Sequence, residues 1–284
     1  MHLLDSELVE RRQILPGQWL QTYRAPRLAT EGQPGQFVHV RGADDWELLL
    51  RRPFSLNTME RATGLVTLHV GTAGRGGQAL ARLREGDRVE MLGPLGRPWE
   101  VDPRSRHLLL IVEGPAIAAL RGLADRALES GRRVVILFGA PDAAQVYPSS
   151  LLPDEVEYAV ATDDGSMGHH GRVTELVPDY EAWADQAFAA GSESLLAELA
   201  RTARGRNERL GVARLGRRGG ARRDPLGSAA ARRKSWLQVA MRQTMGCAVG
   251  ACLGCVVMGV QGPQRVCREG PVFAADEIDW DGAA

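Results

Sequence analysis

Four cysteines lie close together near the C-terminal end of this 284-residue chain, and no cysteine occurs elsewhere. Their spacing is Cys-x4-Cys-x2-Cys-x11-Cys, at Cys247, Cys252, Cys255 and Cys267. Thiolates bind soft metals, and the x4-then-x2 spacing is typical of loops that wrap a [2Fe–2S] cluster with four sulfur ligands. The pattern therefore predicts an iron–sulfur cluster on these four residues.

The residues between the cysteines support the same chemistry. Gly246, Gly250 and Gly254 permit unusual backbone dihedrals and let N–H groups approach the sulfurs, which tunes the reduction potential of a cluster. A structural zinc site is the alternative, but it usually has two Cys-x2-Cys pairs, and only one occurs here. Electron transfer is the function that this loop favours.

A one-electron cluster is normally paired with a two-electron carrier, and the N-terminal half has a candidate site for one. In the run Arg52-Pro53-Phe54-Ser55, alternate residues of a strand share a face, so Arg52 and Phe54 point together. The guanidinium could pair with a pyrophosphate while the ring lies against a flavin. The glycine-rich run at 71–77, followed by a helical segment, is a second anion-binding candidate. Taken alone, each could be an ordinary strand edge or turn.

Two kinds of element position these residues. The first hundred residues contain short strands broken by turns, a pattern typical of a small antiparallel barrel. The predicted strands are Gln36–Val40, Trp46–Leu50, Leu65–Val70 and Arg88–Met91. From residue 107, apolar strands alternate with helices, which predicts an open, doubly wound parallel sheet. Its strands are His107–Val112, Val134–Gly139, Val156–Thr162 and Ala187–Ala190, and its helices are Ala116–Ser130 and Leu195–Ala203.

Composition narrows the class of protein. Hydrophobic residues make up 44% of the chain and charged residues 25%, which is typical of a globular protein. The N-terminus has no apolar core of a secretory signal, and there is no apolar run of about 20 residues, so no membrane span is expected. Clustered cysteines indicate a metal site in a reducing compartment, the cytoplasm. A nucleic-acid partner is not expected.

Several motifs together resemble a known family. The order RPFS, GRGG, GPLG, TDDGSMGHHG, CAVGACLGC and VCREGPVF is similar to the electron-transfer subunit of type B dihydroorotate dehydrogenase, of the ferredoxin reductase superfamily. The resemblance covers residues 10–200 and 236–280. It implies that the four cysteines bind the [2Fe–2S] cluster. It also implies that FAD is bound by Arg52, Pro53, Phe54, Ser55, His69, Val70, Gly71, Gly76 and Gly77.

The resemblance also implies a role and a partner. Electrons from dihydroorotate oxidation, performed on FMN in a separate catalytic subunit, would pass through the cluster and FAD to NAD+ in pyrimidine biosynthesis. Two copies of each subunit would form a heterotetramer. No catalytic acid or base is needed within this subunit. The alternatives are a flavin and iron–sulfur subunit of a hydrogenase or sulfide dehydrogenase, and a cluster-bearing assembly subunit that does not use nicotinamide.

The sequence departs from the family where the nicotinamide nucleotide would bind. A loop of several glycines is replaced by Glu113-Gly114-Pro115, which adds a negative charge and removes a backbone N–H. A Cys-Gly-Pro segment near the nicotinamide is replaced by Ala190-Gly191-Ser192. In the flavin loop, Gly77 stands where a threonine is usual. These changes predict weak or altered NAD binding, and they affect FAD much less.

The expected organisation has four parts. Residues 1–102 form the FAD-binding barrel, 103–200 a degenerate NAD-binding-like α/β domain, 201–235 an arginine-rich insertion, and 236–284 the cluster domain. The insertion carries twelve basic residues against two acidic ones, although the whole chain has a formal net charge of zero. A solvated loop, a contact to an acidic partner or to nucleic acid, and an error in the gene sequence are all open interpretations. We assign this segment no function.

Overall fold

The computed structural model describes residues 1–41, 50–209 and 235–281. The N-terminal part is a closed antiparallel barrel in the order β1-β2-β5-β4-β3-β6, as the sequence predicted. Its strands are β1 (His2–Leu15), β2 (Gln18–Arg24), β3 (Phe37–Arg41), β4 (Arg52–Glu60), β5 (Leu65–Gly71) and β6 (Arg88–Leu95). Two short helices, α1 (Pro26–Glu31) and α2 (Arg75–Ala81), lie between strands. Residues 46–49 of the predicted strand at 46–50, and most of the arginine-rich segment, lie outside the described residues.

Apolar alternation explains why β5 forms a barrel strand. Val66, Leu68 and Val70 are buried in the barrel core, because every second residue of a strand faces the same side. His69, on the opposite face, is also buried, since another part of the chain covers this side of the barrel. Alternation alone would leave a residue on this outer face half-exposed, so the burial of His69 is a consequence of tertiary packing.

The C-terminal part is built on a seven-stranded sheet in the order β10-β9-β8-β7-β11-β12-β15. Its pairs are parallel except for β12 with β15. The strands are β7 (His107–Glu113), β8 (Arg133–Ala140), β9 (Glu157–Thr162), β10 (His169–His170), β11 (Gln186–Ala190), β12 (Leu237–Ala240) and β15 (Val272–Ala274). A separate hairpin consists of β13 (Val256–Gly259) and β14 (Gly262–Arg265). The predicted fold class is therefore confirmed.

Helices cover both faces of this sheet. They are α3 (Arg121–Glu129), α4 (Val177–Glu181) and α5 (Glu193–Arg209), with short 3-10 turns elsewhere. The helix predicted at 116–130 is divided, because a 3-10 turn over Gly114–Ala119 precedes α3. No helix among the described residues has the length and apolar character needed to cross a membrane.

Helix α5 continues six residues beyond the predicted end at Ala203. The arginines that interrupt the apolar pattern contact residues of other elements. The Arg206 guanidinium lies 4.7 Å from the ring centroid of Trp236, and Arg206 also forms an ion pair with Glu181 at 3.9 Å. Arg204 pairs with Asp281 at 3.3 Å. Long basic side chains can therefore cover apolar surface and extend a helix that the apolar periodicity alone would end.

The segment between barrel and sheet is fastened to the sheet by buried polar groups. Gln186 of β11 donates to the Glu100 carbonyl at 3.0 Å and accepts from the Asp102 N–H at 2.9 Å. Gln238 of β12 accepts from the Glu100 N–H at 3.0 Å. Trp99 packs edge-on against Phe188 with ring centroids 5.6 Å apart. Because their donors and acceptors are paired, these buried groups hold the barrel in one position on the sheet.

Candidate functional site

The four cysteines come from one long loop and the hairpin that follows it. Cys247, Cys252 and Cys255 lie between β12 and β13, and Cys267 follows β14. Antiparallel pairing of β13 with β14 places Val256 opposite Arg265, so the residues just outside this pair also come together. The Val266 N–H donates to the Cys255 carbonyl at 2.9 Å. The hairpin therefore brings Cys267 next to Cys255, although eleven residues separate them.

Tight backbone bends wrap the first three cysteines. Ala248 and Leu253 both have φ of 57°, and Gly250 has φ of 82°, all in the left-handed region that L-residues other than glycine rarely adopt. The Arg265 guanidinium donates to the Gly250 carbonyl at 2.9 Å and forms an ion pair with Glu269. The strained loop is thus tied to the base of the hairpin, which keeps its ligands in place.

Backbone N–H groups point at the sulfur atoms. Ala251 and Cys252 N–H groups donate to the Sγ of Cys247 at 3.3 and 3.4 Å. The Cys267 N–H donates to the Sγ of Cys255 at 3.5 Å. Donors of this kind stabilise negative charge on sulfur, whether it is a free thiolate or a cluster ligand.

The thiol pKa values differ across the site. Burial opposes ionisation of Cys247, but N–H donors from Val249 and Cys252 and the neighbouring Cys252 thiol outweigh it and lower its pKa to about 6. Burial, followed by the hydrogen bond and charge of Cys255, raises the pKa of Cys267 to about 12. Cys247 therefore favours the thiolate form in the metal-free protein, whereas the buried Cys267 needs a bound cation to be ionised.

The sulfurs are arranged as two pairs. Cys247 lies beside Cys252, and Cys255 lies beside Cys267, close enough for Cys252 to affect the pKa of Cys247 and for Cys255 to affect the pKa of Cys267. In the part of the chain that the structure describes, no three histidine, cysteine, aspartate or glutamate side chains converge on a point that one metal ion could occupy. A structural zinc ion needs four ligands around one centre, whereas a cluster with two irons takes two thiolates at each. The donor set therefore fits a [2Fe–2S] cluster better than it fits zinc.

The candidate flavin residues meet at one end of the barrel. Arg52 and Phe54 pair with Val40 and Val38 across β3 and β4, so they lie on the same face of the sheet, as alternation predicted. Phe54 is half-buried against the barrel core. Gly76, in the first turn of α2, lies against the Arg52 side chain, since a Cβ there would be 2.6 Å from Arg52 Cγ. The Arg-Pro-Phe-Ser strand and the glycine loop therefore form one surface.

The glycine loop is closed on one side and open on the other. A Cβ at Gly77 would lie 1.8 Å from the Gly71 carbonyl oxygen, which excludes every other residue type from this backbone. A Cβ at Gly71 or Gly74 would meet nothing within 4 Å. The threonine usual in the family at position 77 could not be accommodated without moving Gly71. The open side is the cradle that a phosphate-bearing cofactor would enter.

His69 lies between the barrel and the sheet domain. Its Nε2 is 2.9 Å from Gln18 Oε1, and its ring centroid is 6.0 Å from that of Tyr147. Burial lowers the pKa of His69 to about 4, so the ring is neutral at pH 7. Within the described residues, its buried Nδ1 has no hydrogen-bond partner. A neutral imidazole with a free ring nitrogen is a chemically suitable neighbour for a flavin.

The nicotinamide candidate residues lie at the carboxyl ends of β7 and β11. The Glu113 carboxylate accepts from the Ser192 N–H at 3.1 Å and from the Ser192 hydroxyl at 2.7 Å. Sequence reasoning identified Glu113 and Ser192 separately as departures from the family, but it missed this contact. The two residues are 79 positions apart, and no local pattern connects them. The role of Arg265 was missed for the same reason.

Comparisons with known proteins agree with this geometry. The profile described as the iron–sulfur cluster binding domain of dihydroorotate dehydrogenase B matches residues 242–279. The dihydroorotate dehydrogenase B (NAD(+)) electron transfer subunit of Geobacillus thermodenitrificans is 31% identical over 276 residues, covering 95% of this chain and 96% of the relative. Its counterpart in Bacillus caldolyticus is 34% identical over 251 residues, covering 87% and 86%.

Solved structures show the same fold. The NADH-dependent reduced ferredoxin–NADP oxidoreductase described in a study of flavin-based electron bifurcation superposes with a TM-score of 0.78 at 24% identity. It covers 97% of this chain and 90% of its own. A ferredoxin NADP+ reductase from Neisseria gonorrhoeae with bound FAD and NADP gives a TM-score of 0.62 at 12% identity, covering 84% and 98%.

Proposed function

Because the chain belongs to the family of dihydroorotate dehydrogenase B electron transfer subunits, we propose that it passes electrons from dihydroorotate oxidation to NAD+. The electrons would leave a partner catalytic subunit, enter through a [2Fe–2S] cluster and continue through FAD. The observation that carries this proposal is the four-cysteine loop, in which backbone N–H groups point at the sulfurs of Cys247 and Cys255. When bound, the cluster would supply one-electron transfer, and the flavin would supply hydride transfer, which moves two electrons together with one proton.

At the cluster, the protein supplies ligands and sets their charge. Cys247 and Cys252 would bind one iron, and Cys255 and Cys267 the other. The N–H groups that point at Cys247 and Cys255 stabilise negative charge on sulfur and so favour the reduced state of the site. Arg265 fixes the loop by its hydrogen bond to Gly250 and keeps these donors aligned.

At the barrel, the protein supplies a cation, a backbone cradle and an aromatic surface. Arg52 would pair with the FAD pyrophosphate, and the Gly76 and Gly77 backbone would line the approach to it. Phe54 would contact the isoalloxazine ring with the part of its ring that the barrel core leaves exposed. Pro53, Ser55, Val70 and Gly71 complete the proposed contact set. His69 would complete this set from the neighbouring strand, and among the described residues its buried Nδ1 has no hydrogen-bond partner.

The proposed partner is an FMN-containing catalytic subunit, in a heterotetramer with two copies of each chain. Four of the exposed large apolar side chains belong to the cysteine loop and its hairpin: Val249, Leu253, Met258 and Val260. Leu253 is 64% exposed and lies between two cluster ligands. Exposed apolar side chains of this size mark interaction surfaces when they are concentrated in one region. A subunit that docks there would cover the cluster and receive electrons over a short path.

Visible absorption of the anaerobically purified protein, mixed with its catalytic partner, tests the proposal. Flavin and iron–sulfur bands that bleach on addition of dihydroorotate, and only when the partner is present, are the expected result. Cys255→Ser should lose the iron–sulfur bands and keep the flavin bands, whereas Ala251→Ser, in the same loop, should keep both. A colourless wild-type protein, or bleaching by dihydroorotate without the partner, would reject the proposal.

A further inference from the structure

The strand order of the sheet identifies where a ligand would bind. From β7 the chain proceeds to β8, β9 and β10 on one side, then returns to place β11 and β12 on the other. The order therefore reverses between β7 and β11. In open α/β sheets, ligands bind in the crevice outside the carboxyl ends of the strands at such a reversal. In this chain, Glu113 ends β7, and Gly191 and Ser192 follow β11.

The side chain of Glu113 lies across this crevice. Its Oε2 accepts hydrogen bonds from the Ser192 N–H at 3.1 Å and the Ser192 hydroxyl at 2.7 Å. Two glycines make room for it. A Cβ at Gly191 would be 3.1 Å from Glu113 Oε2, and a Cβ at Gly139, at the end of β8, would be 3.4 Å from Glu113 Cγ. The Glu113 side chain therefore lies against the ends of three neighbouring strands, β7, β8 and β11.

Ser192 is also the entry to α5, a helix of 17 residues. Its hydroxyl accepts from the Leu195 N–H at 3.2 Å. The first turn of a helix favours an anion, because its N–H groups are free and the helix dipole is positive at that end. Glu113 thus places an anion of the protein itself at the point of the crevice where an anionic ligand would be most stable.

We propose that the Glu113–Ser192 contact is an internal competitor of the nicotinamide nucleotide, so that NAD(H) binds only when Glu113 leaves the crevice. This inference rests on the proposed function, since it concerns the acceptor side of the same electron path. While Glu113 is in place, its charge repels the pyrophosphate, and the Ser192 N–H and hydroxyl are already occupied. This protein would therefore need a higher NAD(H) concentration for half-saturation than a protein with an open crevice.

Stopped-flow reduction of the bound flavin by NADH, over a range of NADH concentrations, tests this proposal on the anaerobic holoprotein. Glu113→Ala should lower the concentration that gives half-maximal rate by about tenfold, because both the charge and the internal hydrogen bonds are removed. Glu113→Gln keeps the shape of the side chain and loses the charge, so we expect an intermediate decrease. Glu155→Gln removes an exposed carboxylate that precedes β9, at the amino ends of the parallel strands, and should change nothing.

Two results would overturn the proposal. One is an equal NADH concentration dependence in the wild type, Glu113→Ala and Glu113→Gln. The other is an equal gain in Glu155→Gln, which would indicate a general effect of net charge. Thermal unfolding of each variant, and its flavin spectrum, verify that the fold is retained. Dithionite does not need the crevice, so it should bleach the flavin and cluster bands of every variant. A protein that lacks these bands would contradict the proposed function, whereas this inference concerns only how the bands respond to NADH.

Discussion

Two glycine-containing turns of this chain lie where a dinucleotide would be expected, and they have opposite electrostatic character. At the end of the barrel, the loop from Gly71 to Gly77 is open on one side and lies against the Arg52 cation. At the crevice of the sheet, Glu113 and Pro115 replace glycines, and the carboxylate is bound to Ser192. We therefore expect the fold to determine where each ligand can bind, and the sign of one side chain to determine how strongly it binds.

Reversing the charge at the barrel gives the largest expected effect. Arg52→Glu would make this loop resemble the crevice, so FAD affinity should fall about a thousandfold through loss of a charge-assisted contact and added repulsion. Fluorescence titration of FAD into the apoprotein measures it. Arg52→Lys retains the charge without the planar guanidinium and should lose much less. Arg61→Glu, an exposed position after β4, is the control, and an equal loss there would contradict the comparison.

Two positions of the same loop test whether close contacts are the reason that glycine is required there. Gly77→Ala would place a methyl group 1.8 Å from the Gly71 carbonyl oxygen, so the loop must move, and we expect a loss of about 3 kcal/mol in the free energy of unfolding. Gly74→Ala meets nothing within 4 Å and should change stability by less than about 1 kcal/mol. Urea denaturation of both variants provides the values. Similar losses at 74 and 77 would show that loop entropy, not contact, is the cause.

The third prediction concerns how stability depends on pH, through a histidine that is buried between the barrel and the sheet. Burial lowers the pKa of His69 to about 4, against an ordinary value of 6.5. The unfolded chain therefore binds a proton that the folded chain excludes, and stability is fully present above pH 6.5 and decreases as the pH falls towards 4. We expect this residue to account for on the order of 2 kcal/mol of that loss. Urea denaturation of His69→Gln should show a correspondingly shallower decrease, and an unchanged slope would contradict the prediction.

The smallest effect concerns the backbone of the crevice. Pro115→Ala restores one N–H group to the turn that follows β7, and one additional hydrogen bond to a phosphate should improve NADH binding about threefold. The change should be larger in the Glu113→Ala background, since the crevice is then accessible. Equilibrium titration with NADH measures both. Independent, equal effects in the two backgrounds would show that Glu113 and Pro115 do not act on the same ligand.

Sequence reasoning succeeded where the signal was local. The cysteine spacing, the alternation in β5 and the apolar runs of β7 and β8 are properties of short segments, and they sufficed for the fold class and for the iron–sulfur domain. The four individual cluster ligands stay predictions. The contact between Glu113 and Ser192 depends on which strands are neighbours, so it could be found only after the strand order was known. The burial of His69 likewise depends on Tyr147, which approaches from another part of the chain. The FAD contacts and the domain limits stay predictions.

The last two strands of the main sheet have a consequence for a chain that lacks iron. Strands β12 and β15 flank the cysteine loop and pair with each other, and β12 covers β11. If the loop is not held by its metal, we expect these strands to separate from the sheet more often. The uncovered edge of β11 would then offer unpaired N–H and C=O groups to another molecule, a common start of aggregation. Iron supply or oxidative damage to the cluster would in this way control what fraction of the protein aggregates, independently of its electron-transfer activity.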